Sequence, residues 1–149
     1  MNLRGFKFIG AYQDQGLKLP KRKTMRSAGY DFSAAKTVEL LPGKVTLVPT
    51  GIKAYMQNDE YLGIHIRSGL ALRHMLSLIN GQGIIDCDYY DNPDNEGHIM
   101  IAIVNHGTEA VTIEAGTRIA QGVFYKYLCV DQEEESGTQR IGGFGSTGE

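Results

Sequence analysis

Residues 80–89 read Asn-Gly-Gln-Gly-Ile-Ile-Asp-Cys-Asp-Tyr, a run of amide and small residues that leads directly into two carboxylates. Asn80-Gly81 tolerates positive φ and predicts a tight hairpin turn followed by a strand. A turn with so little side chain exposes its backbone donors and acceptors, which suits reading the edge of a planar heterocycle. Alternation along the strand places Asp86 and Asp88 on one face. The same residues also fit a surface hairpin with two solvated aspartates.

The composition limits what surrounds this turn. The 149 residues (16.4 kDa), of which 42% are hydrophobic, predict one globular domain with a modest core. A net charge of −2 does not fit binding to the phosphates of nucleic acid. Cys87 and Cys129 form no C-x-x-C pair, and the four histidines lack zinc-ligand spacing. Because no apolar run is long enough to span a bilayer, we expect a cytoplasmic protein that binds neither nucleic acid nor membrane.

Short strands separated by regular turns dominate the rest of the chain. Turn signals such as Pro42-Gly43 interrupt runs that are rich in β-branched and aromatic residues. Ser68 to Leu76 is the single helical candidate, with Ser68 as its N-cap. The pattern predicts an all-β sandwich or jelly roll over residues 1–130. Residues 131–149 are acidic and then rich in Gly, Ser and Thr, so we expect a flexible C-terminal arm there.

Four further segments carry residues suited to a nucleotide, and each is ambiguous alone. Arg67-Ser68-Gly69 places a cation, a hydroxyl and open backbone at a helix start, which fits phosphate binding and equally fits a plain N-cap. The segment from Gly142 to Gly148 offers amides for phosphates and Phe144 for stacking, although its composition also fits a disordered tail. Arg118-Ile119-Ala120-Gln121 fits an ordinary strand start, and Asp31 fits an ordinary turn acid.

In this order, the segments resemble the five signature motifs of the trimeric dUTPases (dUTP nucleotidohydrolases). The resemblance implies a jelly-roll-like β barrel, a homotrimer, and active sites that each combine residues from three chains. It covers residues 28–148, in the segments Ala28-Gly29-Tyr30-Asp31, Arg67-Ser68-Gly69-Leu70-Ala71, Asn80 to Tyr89, Arg118-Ile119-Ala120-Gln121 and Arg140 to Gly148.

The reaction implied by the resemblance is hydrolysis of dUTP to dUMP and pyrophosphate, which keeps uracil out of DNA and supplies dUMP for thymidylate synthesis. Asp86 resembles the general base that holds the attacking water in line with the α-phosphorus. Asp31 resembles the acid that anchors Mg²⁺ through bound water. The residues that resemble the family's phosphate contacts are Arg67, Ser68, Gly69 and Gln121.

Selectivity for deoxyuridine is implied in the same way. Backbone groups around Asn80, Gly83 and Ile85 resemble those that read the uracil edge. Tyr89 resembles the tyrosine that packs on the deoxyribose and leaves no room for a 2′-hydroxyl. Because strict alternation puts Tyr89 on the face opposite Asp86, the strand must bend between them. The arm residues that resemble the family's lid over base and γ-phosphate are Arg140, Phe144, Gly145, Ser146 and Thr147.

Three departures from the family pattern accompany these motifs. Residues 90–96 are inserted between Tyr89 and Gly97 and predict an enlarged turn beside the site. Ile66 occupies a position at which proline is common in the family. One residue separates Arg140 from the Gly-Gly-Phe-Gly run, whereas many family members have two residues there.

Two rival functions belong to other classes. A dCTP deaminase shares the fold and needs a glutamate as proton shuttle near the end of the strand that follows the turn, where this chain has Ala102. A dUTPase-like nucleotide sensor, acting as a regulator of other proteins, would offer the inserted turn as a contact surface.

Overall fold

The computed structural model describes residues 1–134 and 137–145. In this part of the chain, antiparallel strands form most of the regular structure, beside one α-helix and two single turns of 3₁₀ helix at Gly10–Tyr12 and Cys87–Tyr89. The elements are β1 (Gly5–Phe8), β2 (Lys21–Arg22), β3 (Tyr30–Ser33), β4 (Val38–Leu40), β5 (Val45–Pro49), β6 (Ile52–Tyr55), β7 (Glu60–Ile66), α1 (Ser68–His74), β8 (Leu76–Leu78), β9 (Gly83–Asp86), β10 (Met100–Asn105), β11 (Val111–Ile113) and β12 (Arg118–Lys126).

The strands form four sheets around one core. The largest has the order β2-β3-β12-β7-β9, a second has the order β5-β10-β8, and two-stranded sheets pair β1 with β6 and β4 with β11. Inward side chains from all four meet in a single apolar cluster, including Phe32, Leu40, Val48, Ile52 and Leu62. The predicted all-β, jelly-roll-like architecture with one short helix is therefore confirmed.

The helix differs from its prediction at both ends. It begins at Ser68 with Arg67 as the N-cap residue, and no side chain caps it, so the expected Ser68 cap is wrong. The backbone amide of Arg67 instead donates to the Ile119 carbonyl (3.1 Å), which ties the helix start to β12. Met75 ends the helix in the left-handed conformation, and Leu76 begins β8. No helix in residues 1–134 or 137–145 has the length and apolarity needed to cross a bilayer.

The turn at residues 79–82 is tight, but it does not close a hairpin. Gly81 has φ 70°, as the Asn-Gly signal predicts, and its amide donates to the Leu78 carbonyl (3.1 Å), but Asn80 does not have the positive φ that a primed turn needs at both positions. The two flanking strands, however, pair with different neighbours: β8 with β10, and β9 with β7. The hairpin prediction is therefore wrong, because a turn signal specifies the local φ and not the partner of the strands that leave it. The turn carries the chain from one sheet to another.

Glu60, at the start of β7, anchors the amino-terminal segment. Its buried carboxylate accepts hydrogen bonds from Arg4 Nη2 (2.6 Å) and from the Gln57 side-chain amide (2.9 Å). These contacts, that of Arg4 above all, lower the pKa of Glu60 from 4.5 to about 2. Ionised Glu60 therefore stabilises the fold at pH values above its pKa in the unfolded chain. This stabilisation is lost as the pH falls through its lower pKa in the folded chain.

Replacing Glu60 with glutamine should lower the melting temperature by several degrees at pH 6, since the Arg4 guanidinium loses its charged partner. The gap between wild type and variant should close as the pH falls from 4.5 towards 2. Thermal denaturation followed across this range is the measurement. Asp59→Asn, which removes an exposed carboxylate paired with Lys126, is the matched control and should change little. A Glu60→Gln deficit that is independent of pH would contradict the assignment.

Candidate active site

A cavity of about 310 Å³ opens beside the turn at residues 79–82. The turn, the strand β9 and the strand β10 contribute its walls, and the C-terminal arm closes one side. Among the described residues that line it, Asp86 is the only carboxylate. The lining also includes six residues expected at the site from the sequence, namely Asn80, Gly83, Ile85, Tyr89, Arg140 and Phe144.

The bend required between Asp86 and Tyr89 is present. Strand β9 ends at Asp86, and a 3₁₀ turn over Cys87–Tyr89 replaces the next strand residues. Both Asp86 and Tyr89 therefore face the same cavity, as predicted. Asp88 belongs to this turn and does not continue a strand face with Asp86, which corrects the simple alternation.

Tyr89 is held at its hydroxyl. The side chain is 5% exposed, its hydroxyl donates to the His98 carbonyl (2.6 Å), and it accepts from Asn95 Nδ2 (2.8 Å). Burial raises the pKa of Tyr89, so the phenol keeps its proton for the His98 carbonyl. The ring thus has a fixed position on the cavity wall.

Gln82 is a lining residue that the sequence analysis missed. Its side-chain amide donates to His65 Nε2 (3.2 Å), which also lies 3.1 Å from the Tyr125 hydroxyl. Gly63 leaves the space for this contact, because a Cβ there would lie 2.5 Å from Gln82 Nε2. A polar amide within the turn was the available signal, but its partner His65 lies 17 residues earlier in β7. The interaction braces the turn against the large sheet.

The arm lies over the cavity of its own chain, whereas a site that combines three chains would require the arm of another chain there. Arg140 pairs with the last residue of β9 and with an acid of the 3₁₀ turn, through Nη2 to Asp86 (2.6 Å) and through Nε to Asp88 (2.7 Å). Asp86 nevertheless remains 48% exposed at its side chain, so water can still reach it. Phe144 and Gly145 are exposed, and Phe144 borders the cavity. Ser146 and Thr147, expected at the γ-phosphate, lie outside the described residues.

Two glycines let the arm pack closely against Tyr89 and the inserted turn. A Cβ at Gly143 would lie 2.8 Å from Tyr89 Cε2, and one at Gly142 would lie 2.8 Å from Asp94 Oδ2. The backbone amide of Asp94 donates to the Ile141 carbonyl (3.0 Å), which fixes the arm to the inserted turn. The Gly-Gly pair therefore serves here as a close-packing device against Tyr89 and Asp94.

The remaining candidate residues form a second cluster outside the cavity lining. Gln121 in β12 is the Cα partner of Asp31 in β3, and a Cβ at Gly29 would collide with the Gln121 side chain. Arg67 follows β7 directly where that strand pairs with β12. Ser68 and Gly69 are exposed in the first turn of α1. The members of this cluster are Asp31, Arg67, Ser68, Gly69 and Gln121.

The sheet register keeps this second cluster apart from Asp86 and the cavity. Along β7, Tyr61 is the partner of Asp86 on one side, and His65 is the partner of Gln121 on the other. An offset of four residues is about 13 Å along the strand, and two strand spacings add about 10 Å across it. The Cα atoms of Asp86 and Gln121 are therefore roughly 16 Å apart. Within one chain, these two side chains cannot contact the same phosphorus.

The similarity to known proteins agrees with the motifs and the fold. A family model described as dUTPase matches residues 15–148. The chain belongs to the dUTPase family. A curated deoxyuridine 5′-triphosphate nucleotidohydrolase of Lactococcus lactis subsp. lactis (strain IL1403) is 49% identical over 149 residues, which cover 99% of each chain. The family membership expected from the sequence is thus confirmed.

Solved structures show the same dUTPase fold. The crystal structure of a dUTPase from Streptococcus mutans matches with a TM-score of 0.81 and 48% identity, over 85% of this chain and 98% of that chain. A D95N mutant dUTPase from phage phi11 of S. aureus is 19% identical and has a TM-score of 0.74, over 91% of this chain and 97% of that chain. At this identity, the phage structure supports the fold alone.

Gly143→Ala should lift the arm from this cavity, because the new Cβ would meet the fixed ring of Tyr89. The amide of Asp94 then loses the Ile141 carbonyl and keeps only its hydrogen bond to Asn92 Oδ1 (3.1 Å), so its hydrogen exchange should accelerate. Ile141→Ala trims an exposed side chain of the same segment, keeps that carbonyl, and is the matched control. Unchanged exchange at Asp94 in Gly143→Ala would show that the arm does not depend on this close contact.

Proposed function

We propose that this chain hydrolyses dUTP to dUMP and pyrophosphate. The observation that carries the proposal is a cavity of about 310 Å³ that combines a side-chain-poor turn, a buried tyrosine and a single lining carboxylate among its described residues, in a chain of the dUTPase family. Keeping uracil out of DNA and supplying dUMP in the cytoplasm are the consequences that this activity would have.

Asp86 is the proposed general base. Its carboxylate accepts a proton from water as the water oxygen attacks the α-phosphorus, and the bond from that phosphorus to the bridging oxygen breaks to release pyrophosphate. The partial exposure of Asp86 supports this role, because a water molecule can approach the carboxylate. Its ion pair with Arg140 orients the carboxylate, and a bound triphosphate would compete for that guanidinium.

The turn and Tyr89 are the proposed selectivity elements. Backbone groups around Asn80, Gly83 and Ile85 would pair with the uracil edge, and cytosine would leave such groups unpaired at a cost of about 1 to 3 kcal/mol each. The fixed ring of Tyr89 would pack on the deoxyribose and exclude a 2′-hydroxyl. Phe144, exposed at the cavity border, would stack on the base when the arm closes.

The proposed assembly is a homotrimer with shared active sites. Since Asp86 and Gln121 are too far apart within one chain, the second cluster would complete the cavity of a neighbouring chain. Exposed apolar side chains support an assembly: Leu72 is 83% exposed and Leu128 is 98% exposed. Arg67, Ser68, Gly69 and Gln121 would then contact the phosphates from across a subunit boundary.

Mg²⁺ is the proposed cofactor, and Asp31 is the proposed protein ligand through water. The described residues contain no group of three or more His, Cys, Asp or Glu side chains that could hold a metal alone. One half-buried carboxylate, 3.4 Å from Arg118, fits an ion that keeps its waters and takes phosphate oxygens from the substrate. When bound, the ion would supply positive charge to the triphosphate.

The deaminase alternative is disfavoured by the same cavity. Ala102, which stands where the deaminase needs its glutamate, is buried and lines the cavity. Its methyl group cannot shuttle a proton, and Asp86 is the only carboxylate among the described lining residues.

Asp86→Asn should lower dUTP turnover about 100- to 10,000-fold while leaving dUTP binding nearly unchanged, because the amide keeps the shape and loses the base. Asp88→Asn is the matched control: it removes the other carboxylate that pairs with Arg140, and turnover should stay within about tenfold of wild type. Pyrophosphate release with Mg²⁺ is the assay for kcat, and calorimetric titration with a non-hydrolysable dUTP analogue gives the affinity.

The same assay, run on wild type with dUTP, dCTP, dTTP and UTP, tests the reaction itself. Preferential release from dUTP supports the proposal, whereas binding of dUTP without release would favour the nucleotide sensor. Near-normal turnover in Asp86→Asn would remove Asp86 from the role of base.

A further inference from the structure

The inserted turn, residues 90–96, is a built structure around a buried asparagine. Asn92 is 5% exposed, and its Nδ2 donates to the Tyr89 carbonyl and to Asn95 Oδ1, both at 2.8 Å. Its Oδ1 accepts from the backbone amides of Asp94 and Asn95, both at 3.1 Å. These hydrogen bonds satisfy both ends of the buried amide and fix the turn against the residue that precedes it.

Two acidic side chains attach the same turn to the barrel. Lys53 pairs with Asp91 at 2.5 Å and with Glu96 at 3.4 Å. Glu96 also accepts from the backbone amide of Gly10 (2.8 Å). The turn therefore has independent supports on β6 and on the amino-terminal segment, so a contact that it makes to the cavity is held in place.

Asn95 makes that contact. Its Oδ1 accepts from Asn92 and from the backbone amide of Gly97 (3.0 Å), which leaves Nδ2 directed at the Tyr89 hydroxyl. The hydroxyl hydrogen goes to the His98 carbonyl, so the phenol oxygen has two separate restraints. Removal of the Asn95 donor would leave the ring able to pivot about its remaining bond.

We propose that Asn95 is a positioning residue for sugar discrimination, which holds the Tyr89 ring against the place of the 2′-hydroxyl. The inference rests on the proposed function, because it assigns to the inserted turn a part in the selectivity for deoxyribose. A ring that pivots gives room to the ribose hydroxyl, so the variant should admit UTP better and hold dUTP less well. The ratio of the two kcat/KM values is the quantity that this role controls.

Asn95→Ala should lower the kcat/KM ratio of dUTP to UTP about tenfold, as expected for one lost hydrogen bond at a discriminating side chain. Asn95→Asp keeps the acceptor for Asn92 and Gly97, replaces the donor to Tyr89, and should lower the ratio similarly even if the alanine variant folds poorly. Asn58→Ala is the control, since the exposed Asn58 accepts hydrogen bonds through its backbone carbonyl. The kcat/KM ratio of dUTP to UTP in Asn58→Ala should equal that of wild type.

A double-variant cycle separates positioning from general support. In a Tyr89→Phe background, Asn95→Ala should not change the ratio further, because the hydroxyl through which it acts is gone. Additive losses, or an unchanged ratio in both Asn95 variants, would overturn the inference. If wild type does not prefer dUTP to UTP, the proposed function fails instead, so the two failures are distinguishable.

Discussion

Strand β7 pairs on both of its sides, and the separation of the functional residues depends on this pairing. Its ladder with β12 fixes the second cluster beside His65, and its ladder with β9 fixes Asp86 beside Tyr61. Side chains of the central strand are largely buried, so a shift of register by one residue would turn apolar groups such as Leu62 to solvent. The distance between Asp86 and the second cluster is thus a property of the sheet, and a movement of the arm or of a loop cannot remove it.

Tyr89 is the point where three otherwise separate parts of the chain meet. The end of β9 presents it to the cavity, the inserted turn holds its hydroxyl through Asn95, and the arm packs Gly143 on its ring. A change in the arm therefore affects the cavity wall at Tyr89 as well as the ion pairs of Arg140. The insertion, which departs from the usual family pattern, forms part of the cavity's support.

Local signals in the sequence predicted well what depends on local conformation. The left-handed Gly81 and the need for a bend before Tyr89 both follow from residue type and short spacing, and the structure shows both of them. The hairpin prediction was wrong because packing in the core, and not the turn, determines which strands pair. The Ser68 cap prediction was wrong because the helix begins one residue earlier than expected, so that Arg67 takes the N-cap position and Ser68 lies in the first turn.

What the sequence could not provide is the set of contacts between distant residues. Arg140 lies 54 residues from Asp86, and Asn95 reaches Tyr89 only because the inserted turn folds back on itself. The ion pairs of Arg140 with Asp86 and Asp88 have no signature in spacing or composition. Such contacts arise from packing of the arm and the turn on the barrel, which a single sequence does not specify.

The most direct test of the shared site is complementation between two inactive variants. Asp86→Asn and Gln121→Ala chains, carrying different tags, are co-expressed, and mixed trimers are purified through both tags. In every trimer that contains both variants, one of the three boundaries between chains joins an intact Asp86 to an intact Gln121, so about one third of wild-type turnover should return. Turnover in the mixture no higher than that of either variant alone would contradict a site shared between chains.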